Sequence, residues 1–187
     1  MNSNIIKIPI AGMSREEWLA ERNKGLGGSD IGSIFGIDKY KPAIKLFHQK
    51  IGYWLTDAED NIAAYGGRVG EDHIYKYYWK YWNPKNESTE EFLANANSDT
   101  VIRKAKHIYS MLQNPDYPHL LANIDFEINK WEDQDNGILE LKMPNSSHWN
   151  AYEAGIPPGY IFQVQMYMLV TGYKFAEIFA LKDGRFP

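Results

Sequence analysis

Cysteine is absent from this chain of 187 residues, which excludes disulfides, thiolate metal sites and cysteine nucleophiles together. Long apolar runs are missing as well, because no segment approaches the roughly 18 uninterrupted apolar residues of a membrane-spanning helix. The apolar run within Met1–Ile10 is too short for a signal peptide. We therefore expect a soluble, cytoplasmic protein with no membrane partner.

An excess of basic residues is also lacking, since 20 Lys and Arg face 24 Asp and Glu for a formal net charge of -4. That balance argues against a protein that coats DNA passively. It remains compatible with a metal-dependent nuclease, because carboxylates that bind cations lower the net charge while a local basic groove holds phosphates. Internal repeats and low-complexity tracts are missing too, so the length predicts a single domain over residues 1–187.

The spacing of apolar residues predicts an α/β fold with a central mixed sheet flanked by helices. Helices are expected from Ser14 to near Gly25, after the glycines that precede Asp30, from Pro42 to Gly52, over Gly67–Trp82 and over Tyr160–Val170. Strands are expected over Ala105–Leu112, Leu120–Asn129, Ile138–Met143 and Phe175–Leu181. Residues 85–99 are polar and predict a loop or a short peripheral helix.

The strand predicted around Gly137–Lys142 carries two opposite charges in an apolar setting. Side chains alternate across a strand, so Glu140 and Lys142 share one face while Leu139 and Leu141 point to the other. This pattern is typical of a site. The alternative is a surface strand with an ion pair that contributes little to stability.

A second carboxylate, Asp125, precedes Glu140 by fifteen residues, and a hairpin can bring both to the same end of adjacent strands. Two carboxylates, with the Leu141 carbonyl as a further oxygen, suit Mg²⁺ or Mn²⁺. Lys142 would then hold or deprotonate a water and stabilise phosphate charge. Alone this pattern is weak, and an exposed hairpin with scattered charges remains open.

The turn at Asp125 and the run Glu140-Leu141-Lys142 resemble the PD-(D/E)XK nuclease superfamily, whose core is restriction-endonuclease-like. Three further motifs narrow the resemblance to the YqaJ-type viral recombinase family, relatives of the phage lambda exonuclease. They are Gly27–Ile31 preceded by Arg22, then Gly67–Glu71, then Gln163–Tyr167, in family order. The resemblance covers the chain from about Arg22 to Leu181.

For the metal site, the resemblance implies ligation by Asp125, Glu140 and the Leu141 carbonyl. Glu71 would contribute from its helix, directly or through water, and Lys142 would be the catalytic lysine. An open alternative for Glu71 is that it merely favours a helix N-terminus through the macrodipole.

For the substrate, the resemblance implies that Gln163 positions the attacking water or the scissile phosphate and that Tyr167 supports it. Arg22 and Ser29 would grip a terminal 5′-phosphate, in keeping with the phosphate affinity of arginine and of glycine-rich turns. The alternative is that the Gly27–Ser29 turn is only a tight turn and a helix cap.

The function that the resemblance implies is a Mg²⁺-dependent deoxyribonuclease, with Mn²⁺ as a substitute. It would act 5′ to 3′ on double-stranded DNA ends in phage-type recombination, inside a bacterium or a phage-infected cell. By family analogy, the partners would be a single-strand annealing protein and further copies of the chain in a ring-shaped trimer. Open alternatives are an endonuclease, a nuclease for single-stranded ends, an inactive DNA-binding or assembly module, and a structural phage protein.

The chain departs from the family pattern in two places. Ile124-Asp125-Phe126 stands where the family often has Pro-Asp-Gly, which changes the turn and keeps the carboxylate. Family members also usually continue beyond the strand expected at Phe175–Leu181. The expectation is either a truncated C-terminal end or a compact variant.

Overall fold

The computed structural model of the protein describes residues 4–53, 62–82, 88, 91, 103–130, 136–144 and 155–181. In 62–68, 103–104 and 129–130 it describes the backbone alone. The predicted loop or peripheral helix at 85–99 falls almost entirely outside these residues, and so does the turn before Asn136. All candidate site residues fall within them.

Five α-helices occur in these ranges. They are α1 (Arg15–Asn23), α2 (Ile31–Ile34), α3 (Ala43–Lys50), α4 (Ile62–Trp82) and α5 (Pro158–Thr171), with a 3-10 turn at Gly28–Asp30 before α2. Ser14 caps α1 in the predicted capping box with Glu17. Gly172, at φ 71°, ends α5 as expected. None of the helices described here is long and apolar enough to cross a membrane.

Helix α4 begins at Ile62, five residues before the predicted start at Gly67. The expectation that the glycines lead into the helix is therefore wrong, since they lie inside it. Ala63 and Ala64 favour a helix, and an interior glycine costs only about 1 kcal/mol, which tertiary packing outweighs. Glu71 consequently lies more than two turns from the N-terminal end, too far for the macrodipole to explain its presence.

The strands form two four-stranded mixed sheets where the sequence predicted one central sheet. They are β1 (Ile6–Pro9), β2 (Leu26–Gly27), β3 (Arg103–His107), β4 (Ser110–Gln113), β5 (Leu120–Ala122), β6 (Phe126–Lys130), β7 (Asn136–Lys142) and β8 (Phe175–Ala180). The first sheet has the order β1-β4-β5-β2 and the second β3-β6-β7-β8. The β2–β5 and β7–β8 pairs are parallel, and the other pairs are antiparallel.

Two predicted strands are each split in the structure. Ala105–Leu112 becomes β3 and β4, and Leu120–Asn129 becomes β5 and β6. Both breaks occur where the chain passes from one sheet to the other, so each continuous apolar run contributes one strand to each sheet. Asp125 lies in the second break, directly before β6, and not within a strand as expected.

Strand β7 is buried on both faces. Ile138 packs into one apolar cluster with Val170 of α5, while Leu139 and Leu141 pack into another with Ile74 of α4. The predicted alternation along β7 is thus confirmed, with helices on both faces of its sheet. The predicted α/β class is also confirmed, with the sheet divided in two.

Replacing Gly137 with Ala is expected to destabilise the fold by about 1–3 kcal/mol through overpacking. Gly137 pairs with Phe175 across β7 and β8, and a Cβ at Gly137 would lie 2.4 Å from the Phe175 ring. Urea unfolding followed by circular dichroism measures the change. Gly159→Ala is the matched control, because nothing lies within 4 Å of its added Cβ. Equal unfolding midpoints for the two variants would contradict the packing argument.

Candidate functional site

One cavity of about 770 Å³ brings together every residue that the sequence analysis selected. These residues are Arg22, Ser29, Glu71, Asp125, Glu140, Leu141, Lys142, Gln163 and Tyr167. They come from α1, the 3-10 turn, α4, the break before β6, β7 and α5. The tertiary fold brings these elements together, with α5 packed against both the 3-10 turn and β7.

At the centre of the cavity, the Glu140 side chain accepts hydrogen bonds from Lys142 and from Gln163, the latter at 2.6 Å. Gln163 also donates to the Tyr167 hydroxyl at 3.1 Å. Glu140 is only 2% exposed, which excludes a surface ion pair on this strand. Its second oxygen, Oε2, is buried without a hydrogen-bond partner among the described residues.

The charges around Glu140 do not balance. Burial raises its pKa to about 7, Lys142 opposes that shift, and the nearby carboxylates of Asp125 and Glu71 add to it. A buried carboxylate oxygen without a donor is costly unless a further positive charge binds there. The site is therefore short of positive charge.

Among the described residues, the cation in contact with Glu140 is Lys142. Burial lowers its pKa, but the carboxylates of Glu140 and Asp125 outweigh that effect and raise the pKa above its ordinary value. The Tyr160 ring, 4.8 Å from the Lys142 ammonium, adds a cation–π contact. Lys142 is therefore held in its charged form beside Glu140, and its two expected roles stay predictions.

A backbone hydrogen bond from β7 holds the Asp125 side chain at the break between the two sheets. The Leu141 N–H donates to Asp125 Oδ2 at 2.8 Å, which holds the carboxylate beside the strand that carries Glu140. Burial raises the pKa of Asp125, against the lowering effects of Lys142 and of that hydrogen bond. The role of the Leu141 carbonyl as a metal ligand stays a prediction.

The donor set fits a hard divalent cation. Asp125 and Glu140 supply carboxylate oxygens, one of them without a partner in the described structure, and Glu71 faces the same cavity from α4. Among the described residues, no three Asp, Glu or His side chains form a ready-made metal cage. Magnesium ions commonly complete such an incomplete set with backbone carbonyls and waters.

Arg22 and Ser29 line the same cavity. Arg22 donates to the Ser29 hydroxyl and, at 3.5 Å, to Asp30. Asp30 is fully buried and also forms salt bridges with Lys41 and Lys50 at 2.8 and 2.9 Å. Although burial alone would raise its pKa, these three cations lower it to about 2.

Sequence reasoning missed Asp30 and its lysines as part of the site. The sequence indicated Asp30 only as part of the Gly27–Ile31 motif, and the structure shows its carboxylate accepting the Gly27 N–H at 2.9 Å within the turn. Lys41 and Lys50 lie eleven and twenty residues further along the chain. The one local signal for this cluster was an acidic residue in a glycine-rich turn. Its lysine partners reach Asp30 only because α3 folds back towards it.

The glycine turn before α2 is packed against α5 at Gly28. A Cβ there would lie 2.4 Å from the Tyr167 ring and 2.9 Å from Gln163. Only glycine allows the turn before α2 to approach α5 this closely. The site for Arg22 and Ser29 is therefore held rigidly against the Gln163–Tyr167 pair.

Two more cavity residues escaped the sequence analysis. His107 ends β3 and Asn123 lies in the break after β5, and each has one buried side-chain atom without a hydrogen-bond partner in the described part of the chain. Buried polar atoms of this kind commonly face water, ions or substrate. No sequence spacing linked either residue to Glu140.

Comparison with known proteins agrees with the motifs. The family model of the YqaJ-like viral recombinase domain matches residues 17–174. The chain is 33% identical over 168 residues to the uncharacterized protein YqaJ of Bacillus subtilis (strain 168). The match covers 89% of this chain and 46% of that protein, so the chain spans about half the length of this curated relative.

Among solved structures, the chain is similar to an alkaline exonuclease, LHK-Exo, from Laribacter hongkongensis, with 22% identity and a TM-score of 0.59. The same enzyme in complex with dAMP matches with a TM-score of 0.62. In both cases 92% of this chain and 76% of the other are covered. At this identity the likeness shows the fold, and it confirms the restriction-endonuclease-like core.

Replacing Asp30 with Asn is expected to destabilise the protein by about 3–5 kcal/mol, because three partly buried cations lose their shared carboxylate. The pKa of Asp30 is about 2 in the folded protein, below the ordinary 3.8. Its charge therefore stabilises the fold fully above about pH 4 by about 2 kcal/mol, and this contribution disappears as the pH falls through 2.

Urea unfolding at pH 6 and at pH 3 measures both effects. The difference between wild type and Asp30→Asn should shrink at the lower pH, while Asp116→Asn, a change at an exposed acid, should show no such trend. A difference that is the same at both pH values would contradict the argument.

Proposed function

The chain belongs to the YqaJ-like viral recombinase family, and from that membership we propose that it is a metal-dependent nuclease that hydrolyses phosphodiester bonds at DNA ends. The observation that carries the proposal is the buried Glu140–Lys142 pair, with Glu140 Oε2 unpartnered in the described structure, in one cavity with Asp125. A pair that only stabilised the fold would satisfy both oxygens of its carboxylate.

We propose Mg²⁺ as the cofactor, with Mn²⁺ as a substitute. Asp125, Glu140 and the Leu141 carbonyl would hold it, with Glu71 contributing directly or through water. When bound, such a cation activates a water and offsets the charge that develops on the phosphate. The charge shortage around Glu140 supports this assignment.

The chain's own residues supply positioning and charge. Lys142 places an ammonium beside Glu140, where it would donate to the attacking water or to a phosphate oxygen. Gln163 holds the Glu140 carboxylate through its amide and connects it to Tyr167. Burial raises the pKa of Tyr167 well above its ordinary value, so it acts as a neutral phenol.

More specifically, we propose that the chain is a 5′ to 3′ exonuclease that acts on double-stranded ends in phage-type recombination. Arg22 and Ser29 support it, since they share the cavity with Glu140 and are suited to a terminal phosphate. LHK-Exo has been solved with dAMP, a single nucleotide, and the proposal expects single nucleotides as this chain's product.

The proposed setting follows from the family alone. It comprises the interior of a bacterium or a phage-infected cell, a single-strand annealing protein as partner, and a ring-shaped trimer of the chain.

Divalent cations are expected to stabilise the protein against heat even without DNA. Mn²⁺ at about 100 times its dissociation constant would stabilise the fold by about 2.7 kcal/mol, a rise of several degrees in Tm. Asp125→Asn and Glu140→Gln should lose this rise, whereas Asp116→Asn should keep it. A rise of the same size in all four proteins would place the cation elsewhere.

With Mg²⁺, the protein is expected to degrade linear double-stranded DNA and to leave closed circular DNA intact. Lys142→Met should lower the rate by about 100-fold or more, because a charge aimed at the reacting phosphate is lost. Lys174→Met, at an exposed lysine before β8, is the matched control. Degradation of the circle would favour the endonuclease alternative, and full activity in Lys142→Met would remove the mechanism.

A further inference from the structure

The cluster around Asp30 contains more positive charge than its carboxylate can neutralise. Among these four side chains, Arg22, Lys41 and Lys50 carry three formal positive charges and Asp30 one negative charge, a sum of +2. The side chains of the three cations are only 14–17% exposed. The protein as a whole has a net charge of -4, so this local excess of positive charge needs a physical explanation.

Each oxygen of Asp30 is fully used within the cluster. Oδ1 accepts from Arg22 and Lys41, and Oδ2 accepts from the Gly27 N–H and lies 2.9 Å from the Lys50 ammonium. Lys50 also donates to the Arg22 backbone carbonyl at 3.1 Å. The lysines therefore fix both the carboxylate and the end of α1 that carries Arg22.

The excess positive charge also affects the pKa of Lys50, which lies inside the cluster. Burial lowers the pKa of Lys50, Asp30 opposes that shift, and the charges of Arg22 and Lys41 add to it. A purely structural clamp needs one cation for one carboxylate, and each further buried cation costs desolvation. An anion bound at the open side of the cluster would offset this cost.

The open side of the cluster is the cavity wall. Arg22, Ser29, Gly27 and Gly28 line the cavity, whereas Lys41 and Lys50 are not part of its lining and lie behind them. A terminal phosphate monoester carries about -1.5 to -2 charges at pH 7, and an internal phosphodiester carries one. A fixed charge of +2 therefore matches a chain end better than the interior of a strand.

We propose that Lys41 and Lys50 are specificity-determining residues that act through Asp30 and Arg22. They hold a net charge of +2 behind the Arg22–Ser29 wall, and this charge selects a terminal phosphate monoester over a phosphodiester or a hydroxyl end. The inference rests on the proposed function and assigns these two lysines, with Asp30, to its end recognition.

The first test uses the wild-type protein and three DNA hairpins that differ only at the 5′ end. The ends are a phosphate, a phosphate capped as its methyl ester, and a hydroxyl. The methyl ester keeps the shape of the phosphate and removes one charge. Binding is measured by fluorescence anisotropy with Ca²⁺ in place of Mg²⁺, so that the result does not depend on cleavage.

We expect the phosphate end to bind about tenfold more tightly than the methyl ester, a difference of about 1.4 kcal/mol. The methyl ester should bind nearly as weakly as the hydroxyl. Equal affinity for phosphate and methyl ester would overturn the proposal, because recognition would then depend on shape alone.

The second test compares Lys41→Met and Lys50→Met with Lys41→Arg and Lys50→Arg. The methionine variants should lose most of the preference for phosphate over hydroxyl ends, and the arginine variants should keep it. Lys45→Met is the matched control, since Lys45 lies on α3, the helix that carries Lys50, and has an exposed side chain. If a methionine variant loses affinity for both ends by the same factor, the preference stays intact. That result would overturn the proposal, because the cluster would then be only a structural clamp.

Failure of this inference is distinguishable from failure of the proposed function. A wild-type protein that cleaves no linear DNA with Mg²⁺ or Mn²⁺ is not a nuclease, whatever ends it binds. A protein that cleaves linear DNA and ignores the charge of its 5′ end is a nuclease without this selectivity.

Discussion

The burial of Glu140 beside Lys142 on strand β7 is the constraint on which the rest of the site depends. β7 is enclosed on both faces, with Leu139 fully buried and Glu140 only 2% exposed, so its charges have little access to water. Such a position is costly for a carboxylate, and hydrogen bonds from Lys142 and Gln163 compensate only one of its oxygens. The fold therefore maintains a buried carboxylate that stability alone would not favour.

The elements around β7 hold the residues next to Glu140 in place. The chain changes sheets directly before β6, and this break places Asp125 where the Leu141 N–H can bind it. On the other side, helix α5 carries Gln163 and Tyr167 one turn apart, and the glycine turn at Gly28 packs against both. Because these contacts are made by backbone and by short, well-packed side chains, the catalytic candidates have little freedom to move.

Much of this site followed from the sequence, and the failures have identifiable causes. The alternation along β7 and the helix of Gln163 and Tyr167 depend on local periodicity, which the structure reproduces. The division of the sheet in two was not predicted, because an apolar run does not record where a chain crosses between sheets. The role of Asp30 was missed because its lysine partners are close only after α3 folds back, and no local pattern encodes that contact.

The side chains grouped around Glu140 and those grouped around Asp30 differ in formal charge. Glu71, Asp125 and Glu140 with Lys142 sum to -2, and Arg22, Lys41 and Lys50 with Asp30 sum to +2. Burial raises the pKa of Glu140 to about 7, whereas the three cations lower the pKa of Asp30 to about 2. The proposed divalent cation would add positive charge to the first group, and the proposed terminal phosphate would add negative charge to the second. Under this proposal an acidic protein would bind DNA without a basic surface, because the positive charge concentrated around Asp30 would hold one chain end.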